Sequence, residues 1–502
     1  VGEKQLVLTI DQGTTSSRAI LFDQAGIIQA VAQQPITQYY PASGWVDHDA
    51  NEIWQTVQSC VVDALEQRGA TLDDVAAIGI TNQRETTIVW DRQTGEPLAP
   101  AIVWQSRQST PFVNAIVERG EGERFHQLTG LVPDAYFSAT KLALLLDEHP
   151  DIRRKAEAGE ALFGTVDSWL IYKLSNGNTH VTDVSNAART MLFDIRRLDW
   201  SDELLGYLSI PKAMLPTVVD SSGVVTDVSA RVLGGSAPIA GIAGDQHAAL
   251  FGQLCFAPGE AKNTIGTGSF LLMNTGHEVP ISDAGLLATI GWKAGDDLVY
   301  ASEGSVFVSG SAVQWLRDGL GVIETSAQIE ELLESETDSG GVVFVPALTG
   351  LGAPHWDSTA RGGIFGITRG TTAGHLAHAT IEGIALQAME LVDLMRSETG
   401  LPITTLKIDG GAAANDRLLQ LHADLIGVDV VRPAVLETTA LGAAYLAGLA
   451  VGFWPDRASL QENVAIDRVF TPSMPEAKRE ELISRWRMAV DRVQDWDIET
   501  KI

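Results

Sequence analysis

Leu6 to Asp23, LVLTIDQGTTSSRAILFD, reads as a strand, a tight turn and a second strand. One apolar run ends in Asp11, the chain turns through Gly13-Thr14-Thr15, and another apolar run follows. Gly13 lets the backbone come close to an anion, the Thr and Ser hydroxyls add donors, Arg18 adds charge, and Asp11 stands where a divalent cation could be held. Those are the parts of a nucleotide phosphate clamp. They are also the parts of ordinary hairpin punctuation, and the segment alone leaves both readings open.

The rest of the chain narrows the choice. At 502 residues it exceeds one typical core, so two domains of roughly 200 to 250 residues are expected. A 45% hydrophobic and 20% charged composition is that of a globular protein. Lys and Arg total 35 against 64 Asp and Glu, a net charge of −29, which argues against a broad basic face for nucleic acid. A small anionic ligand would need a local cationic pocket. Cys60 and Cys255 form no CxxC pair, so a reducing compartment, the cytoplasm, is the expected location. Glu3 and Asp11 interrupt any secretory h-region. The most apolar stretch, Ala440 to Trp454, is too short to span a bilayer and rich enough in Gly and Ala to be a closely packed core helix.

Strand-like runs at Ala76 to Thr81 and Thr87 to Trp90 alternate with a helical run at Ala50 to Gln67, the pattern of an α/β domain. The passage QLCFAPGEAK, Gln253 to Lys262, marks a division into lobes 1–252 and 253–502. Directly after it, AKNTIGTGSFLLMN repeats the opening pattern, with Gly266-Thr267-Gly268-Ser269 as the turn. Two related lobes, each offering backbone donors to a ligand between them, would produce this echo; so would two unrelated hairpins. A third Gly-rich element, Leu406 to Asn415, reads as a strand, a tight turn through Gly410-Gly411, and a helix beginning with small residues. It would let a base or ribose lie against backbone, or simply pack helix on strand. Pro475 to Trp496 reads as an amphipathic docking helix, with Leu482, Ile483, Trp486, Met488, Ala489 and Val493 for packing.

No GxxxxGK[ST], GxGxxG or HExxH motif occurs, so the P-loop, Rossmann and zincin routes lack support. His375, His378 and Glu382 share a helical face, an arrangement far more often structural than metallated. Arg84 and Glu85 leave a strand end side by side. As a pair they offer donors and acceptors to adjacent hydroxyls, or they are a structural salt bridge. Asp245 follows an apolar strand on a glycine-framed turn, placed to accept a proton from an alcohol or to form an Asx turn or helix cap. Trp104, Tyr136 and Phe270 could wall such a site, and each also suits a core.

Together these elements resemble the FGGY family of carbohydrate kinases. The resemblance runs through seven ordered blocks: DQGTTSSRA from Asp11, GITNQRETTIVW from Gly79, FGTVDSWLIYKL from Phe163, GIAGDQHAALFGQLC from Gly241, AKNTIGTGSF from Ala261, TGLGAPHWD from Thr349 and ALGAAYLAGLAVGFW from Ala440. The two family patterns fall at Tyr136 to Glu148 and Gly363 to Glu382, the first departing by Leu144 where Trp is usual. The implied fold is two-lobed and ribonuclease H-like, that of the actin-like ATPases, with the active site in the interlobe cleft. The implied reaction is phosphorylation of glycerol by ATP with Mg2+, giving sn-glycerol 3-phosphate and ADP with Asp245 as general base. By the same resemblance glycerol would meet Arg84, Glu85, Trp104, Tyr136, Asp245, Gln246 and Phe270. The nucleotide would meet Thr14, Thr15, Ser16, Arg18, Thr267, Gly310, Gln314, Gly411 and Asn415, and the metal Asp11. Relatives are commonly dimers or tetramers, so a homodimer or homotetramer is implied, with no nucleic acid and no membrane insertion. Some bacterial relatives bind fructose 1,6-bisphosphate on a longer GGxGGxR-type loop; this chain reads RVLGGSAP at Arg231 to Pro238, which implies weak or absent control by that effector. A kinase of another polyol or ketose, or a non-catalytic nucleotide-dependent regulator, would share the scaffold.

Overall fold

The computed structural model describes residues 4–496. The opening segment forms strands β1 (Leu6–Gln12) and β2 (Ser16–Phe22), paired antiparallel with Asp11 opposite Arg18. Strand β3 (Ile28–Pro35) extends the meander, and the amphipathic helix α1 (Ala50–Arg68) returns the chain to β4 (Val75–Asn82), which lies parallel to β1. Gly69, in the left-handed region at φ 65°, ends α1, a conformation that costs glycine no Cβ clash. Strands β5 (Ser222–Asp227) and β6 (Pro238–Gly244) complete a six-stranded sheet in the order β5-β6-β4-β1-β2-β3. Helix α2 (Asp245–Gly252) leaves its last central strand.

The second sheet repeats the plan. Its hairpin is β7 (Ala261–Ile265) and β8 (Ser269–Gly276), so the Gly266 turn corresponds to the Gly13 turn, as the echo in sequence predicts. Strands β9 (Leu287–Ala294) and β10 (Asp297–Val306) lie on the β8 side. After helices α3 (Gly310–Asp318) and α4 (Ala373–Thr399), β11 (Thr405–Asp409) runs parallel to β7. A single 3-10 turn, Gly411–Ala414, precedes helix α5 (Asp416–Ile426), so the small residues after Gly410 make a turn and the helix starts only at Asp416, capped by Asn415. Strand β12 (Asp429–Pro433), helix α6 (Thr438–Ala450) and edge strand β13 (Ile466–Phe470) finish a seven-stranded sheet, β9-β10-β8-β7-β11-β12-β13.

Helix α6 follows the second sheet in sequence but packs on α2 and on β1, β4 and β6 of the first. Glycines permit the contact: a Cβ on Gly79 would lie 2.3 Å from the Ala443 carbonyl oxygen, and one on Gly241 2.4 Å from the Ala447 nitrogen. The Ala440–Trp454 run is thus a core helix as far as Ala450, as its composition predicts, and turns out of the helix over 451–454. Helix α7 (Glu476–Val493) is the amphipathic element near the C-terminus, and it buries Leu482, Ile483, Trp486, Ala489 and Val493 against the second lobe. Met488 departs from expectation at 48% exposure, because it lies about 200° around the helix from Trp486. The helix stops before Trp496, which is also exposed. Among the described residues no helix is long and apolar enough to cross a membrane.

Candidate active site

The ends of β1, β4, β6, β7 and β11 open onto one cleft. At the N-terminal lobe's turn, the Gly13 N–H donates to the Ser16 carbonyl at 2.9 Å. At the opposing turn, Gly266 N–H donates to the Gly268 carbonyl at 2.8 Å, and the Thr267 carbonyl accepts the N–H groups of Ser309 (2.9 Å) and Ser311 (3.1 Å). The start of α3 is thereby stapled to the turn. Gly310 is required there, since its Cβ would sit 2.4 Å from the Gly266 carbonyl oxygen. Gly310→Ala is expected to displace the turn at a cost of about 1–3 kcal/mol in stability, and denaturant titration against the wild-type protein checks it.

A cavity of about 340 Å3 lies between the turns, lined by Thr14, Thr15, Thr267 and Phe270 and by Arg84, Glu85, Trp104, Tyr136 and Asp245. Its aromatic wall is built edge to face: Trp104 lies 5.6 Å from Tyr136 and 6.2 Å from Phe270 between ring centres, and its indole N–H donates to the Thr14 hydroxyl at 2.9 Å. Such rings cover carbon and leave polar groups to read hydroxyls. Tyr40 also lines the cavity; 70% exposed and set in a polar loop, it carried no sequence signal.

Arg84 and Glu85 follow the end of β4 and are almost completely buried. The Arg84 Nε lies 3.3 Å from the Asp245 carboxylate and 3.8 Å from that of Glu85. Glu85 adopts the left-handed backbone at φ 61°, a costly conformation for a side chain, held by the Ser138 hydroxyl on its carbonyl and the Arg189 guanidinium on its carboxylate. Asp245 is the first residue of α2, with Gly244 at the cap position, so it is not the cap itself. Its carboxylate accepts the Gln246 N–H at 2.7 Å and keeps 31% of its surface open to the cleft. Burial raises its pKa above the ordinary value; Arg84 and Lys262 oppose that rise and Asp11 adds to it. A carboxylate so placed is a competent proton acceptor.

A second cavity, about 570 Å3, lies beside the first and shares Thr267 with it. Gly266, Gly310, Gln314, Gly411 and Asn415 line it with the apolar side chains of Ile329, Ile381 and Ile384. Asn415 accepts the Leu418 N–H at 2.7 Å and donates to Glu330.

Four expected residues, Gln246, Ser16, Arg18 and Asp11, stand apart from the linings of both cavities. Gln246 is buried, with its amide oxygen taken by the Lys262 ammonium. The Ser16 hydroxyl faces Gln33 on the neighbouring strand at 3.0 Å. Arg18 is held between Asp11 and Glu437, 2.5 Å from each, and so ties the two lobes together. His375 and His378 are likewise spoken for: His375 bonds Thr372 at the start of α4, and His378 meets the carbonyls of Leu333 and Glu336.

Sequence reading missed the layer behind the cleft. Arg189 and Glu303 are fully buried beside Arg84, Lys262 lies beneath Gln246, and Asp409 ends β11. Burial pushes the Lys262 ammonium down to about 8, against the pull of Asp409 and Asp245; it pushes the Asp409 carboxyl up to about 6, against Lys262. A lone charge inside an apolar strand, as in VYASEGSV or AKNTI, was the available signal.

Among the described residues no group of three or more His, Cys, Asp or Glu could hold a metal ion. Magnesium needs none, since it commonly binds through one or two carboxylates and substrate phosphates. Asp11, 3% exposed at the strand end with Arg18 on one oxygen, fits that role.

Two lobes of like topology, closing on a cleft with two adjacent cavities, define the actin-like ATPase fold. The chain belongs to the FGGY family of carbohydrate kinases, whose N-terminal domain matches residues 6–252 and whose C-terminal domain matches residues 261–451. Glycerol kinase of Aromatoleum aromaticum is 56% identical over 98% of this chain and 99% of its own length. The structure of Plasmodium falciparum glycerol kinase with ADP matches at a TM-score of 0.90 and 35% identity, covering 98% of this chain and 99% of that one. A ligand-bound xylulose kinase from Lactobacillus acidophilus shares the fold at a TM-score of 0.85 with 22% identity over 97% of each chain.

Proposed function

We propose that this protein transfers the γ-phosphoryl group of ATP to a terminal hydroxyl of glycerol, giving sn-glycerol 3-phosphate and ADP. The observation that carries the reading is Asp245, a partly open carboxylate paired to Arg84 in a hydroxyl-reading cleft that shares Thr267 with the second cavity. Glycerol lies with its carbons against Trp104 and Phe270 and its hydroxyls on Arg84, Glu85, Tyr136 and Asp245, with Gln246 in support. ATP occupies the second cavity, its base against the apolar wall near Gly411 and Asn415 and its phosphates between the Thr14-Thr15-Ser16 turn and Thr267, toward Gly310 and Gln314.

Asp245 accepts the proton of the terminal hydroxyl as the oxygen bonds to the γ-phosphorus and the bond from phosphorus to the ADP oxygen breaks. Backbone N–H groups of the two turns face the equatorial oxygens, and Arg18 holds the Asp11 carboxylate in place. Mg2+, held by Asp11 directly or through water, supplies neutralisation of the phosphate charge when bound. Apposed lobes exclude water that would otherwise compete for the phosphoryl group.

The lobes divide at residues 252 and 253, the first supplying the polyol contacts and phosphate contacts and the second the remaining nucleotide contacts. We place the protein in the cytoplasm, where buried free thiols such as Cys60 and Cys255 remain reduced, as a homodimer or homotetramer.

A panel of glycerol, other polyols and ketoses, read by ADP release, tests the assignment. Glycerol is expected to be the best substrate; preference for a pentulose would overturn it. Added fructose 1,6-bisphosphate is expected to leave the rate unchanged, because the loop after Arg231 has neither the second glycine pair nor the following arginine. Clear inhibition at moderate concentrations would contradict this.

A further inference from the structure

We propose that Glu303, a carboxylate of the second lobe, positions the substrate-reading Arg84 of the first, so that the hydroxyl site is complete only when the two lobes are apposed. The inference rests on the glycerol-phosphorylating reading above and adds to it a residue outside the cavity wall. Glu303 sits on β10, in the interior of the second sheet, opposite Leu272 on one neighbouring strand and Leu287 on the other, and is fully buried. Its two oxygens take both terminal nitrogens of Arg84, Nη1 at 2.6 Å and Nη2 at 2.9 Å. That bidentate geometry fixes the plane of the guanidinium as well as its place.

The same carboxylate also reaches Arg189, whose Nη2 lies 3.1 Å away and whose Nε donates to Glu85 at 2.7 Å. Glu303 therefore holds both members of the hydroxyl-reading pair, Arg84 directly and Glu85 through Arg189. Arg84, Glu85 and Arg189 all precede Gly252, whereas Glu303 and its hydroxyl donor Ser305, 2.9 Å away, belong to the second sheet. With Glu303 in place, the Arg84 Nη2 can also meet the Tyr136 hydroxyl at 3.1 Å while Nε faces Asp245. Without it, the remaining acids near Arg84 are Asp245 and Glu85, the groups that must meet substrate.

A structural ion pair would affect every substrate alike, whereas a positioning residue affects the reading of a particular hydroxyl. The test compares glycerol with propane-1,2-diol, which lacks one hydroxyl, in the wild-type protein, Glu303→Gln and Ser305→Ala. In Glu303→Gln the KM for glycerol is expected to rise about tenfold or more, the KM for ATP to stay within about twofold, and the kcat/KM preference for glycerol over the diol to fall about fivefold or more. Ser305→Ala, which removes one hydroxyl donor from the Glu303 carboxylate and leaves both arginine pairs in place, is expected to move the preference in the same direction by about twofold. An unchanged preference in Glu303→Gln overturns the proposal. Should that variant fail to fold, an unchanged preference in Ser305→Ala does so. A wild-type protein that does not phosphorylate glycerol at all defeats the underlying reading; one that does, with variants of unaltered preference, defeats the positioning role alone.

Discussion

Asp245→Asn is expected to lower glycerol turnover by about 10²- to 10⁴-fold while leaving ATP affinity within about twofold. The amide cannot accept the hydroxyl proton, yet it retains the size of the carboxylate and an oxygen for the Gln246 N–H. The nucleotide cavity does not include Asp245, so binding there is preserved. In the wild-type protein, burial raises the Asp245 pKa, and only the unprotonated form can act as base. The acid limb of kcat/KM for glycerol is therefore displaced upward from that of an ordinary aspartate, the rate falling about tenfold for each pH unit below it. Calorimetric titration with an ATP analogue and a pH–rate profile check both halves. Wild-type turnover in Asp245→Asn would remove the proposed base.

The largest expected loss of stability comes from Gly442→Ala. Helices α2 and α6 cross so closely that a Cβ on Gly442 would lie 1.8 Å from the Ala248 carbonyl oxygen, and one on Gly252 2.0 Å from that of Thr438. Intrinsic helix propensity favours alanine by about 1 kcal/mol. The clash is with backbone, which has no rotamer to escape into, and overpacking of this kind costs about 1–3 kcal/mol or more. Gly442→Ala is therefore expected to melt several degrees below wild type and to lose activity too, since Asp245 begins the helix being displaced. Gly206→Ala is the control: it lies within the helix Asp202–Tyr207, its Cβ would meet nothing within 4 Å, and it is expected to be neutral or stabilising by about 0.5–1 kcal/mol. Scanning calorimetry compares them, and a Gly442→Ala melting point at or above wild type would refute the crossing argument.

Much of the architecture was legible because it is local. Apolar runs broken by Gly-Thr turns became the two hairpins Leu6–Phe22 and Ala261–Gly276, and the period of Ala50–Arg68 became a helix buried along one face. Errors came where a short-range rule competed with another. The small residues after Gly410 have the composition of a helix, but Asn415 is a stronger helix start and moved the boundary to Asp416. Met488 counted as a packing residue by type, although its angular position sends it to solvent.

By itself, the order of residues determined the repeated strand-turn-strand units, the α/β class and the family, and through the family resemblance it pointed to Arg84, Glu85, Trp104, Tyr136, Asp245 and Phe270, which the fold brings to one cavity. Only the tertiary structure decided what stands behind them. Glu303 lies 219 positions from Arg84, and Glu437 lies 419 from Arg18, yet both pairs are in hydrogen-bond contact. Periodicity and turn chemistry act over a few residues, whereas charge compensation in a buried cleft acts through space. The partners of these arginines therefore become visible only once the two lobes face one another.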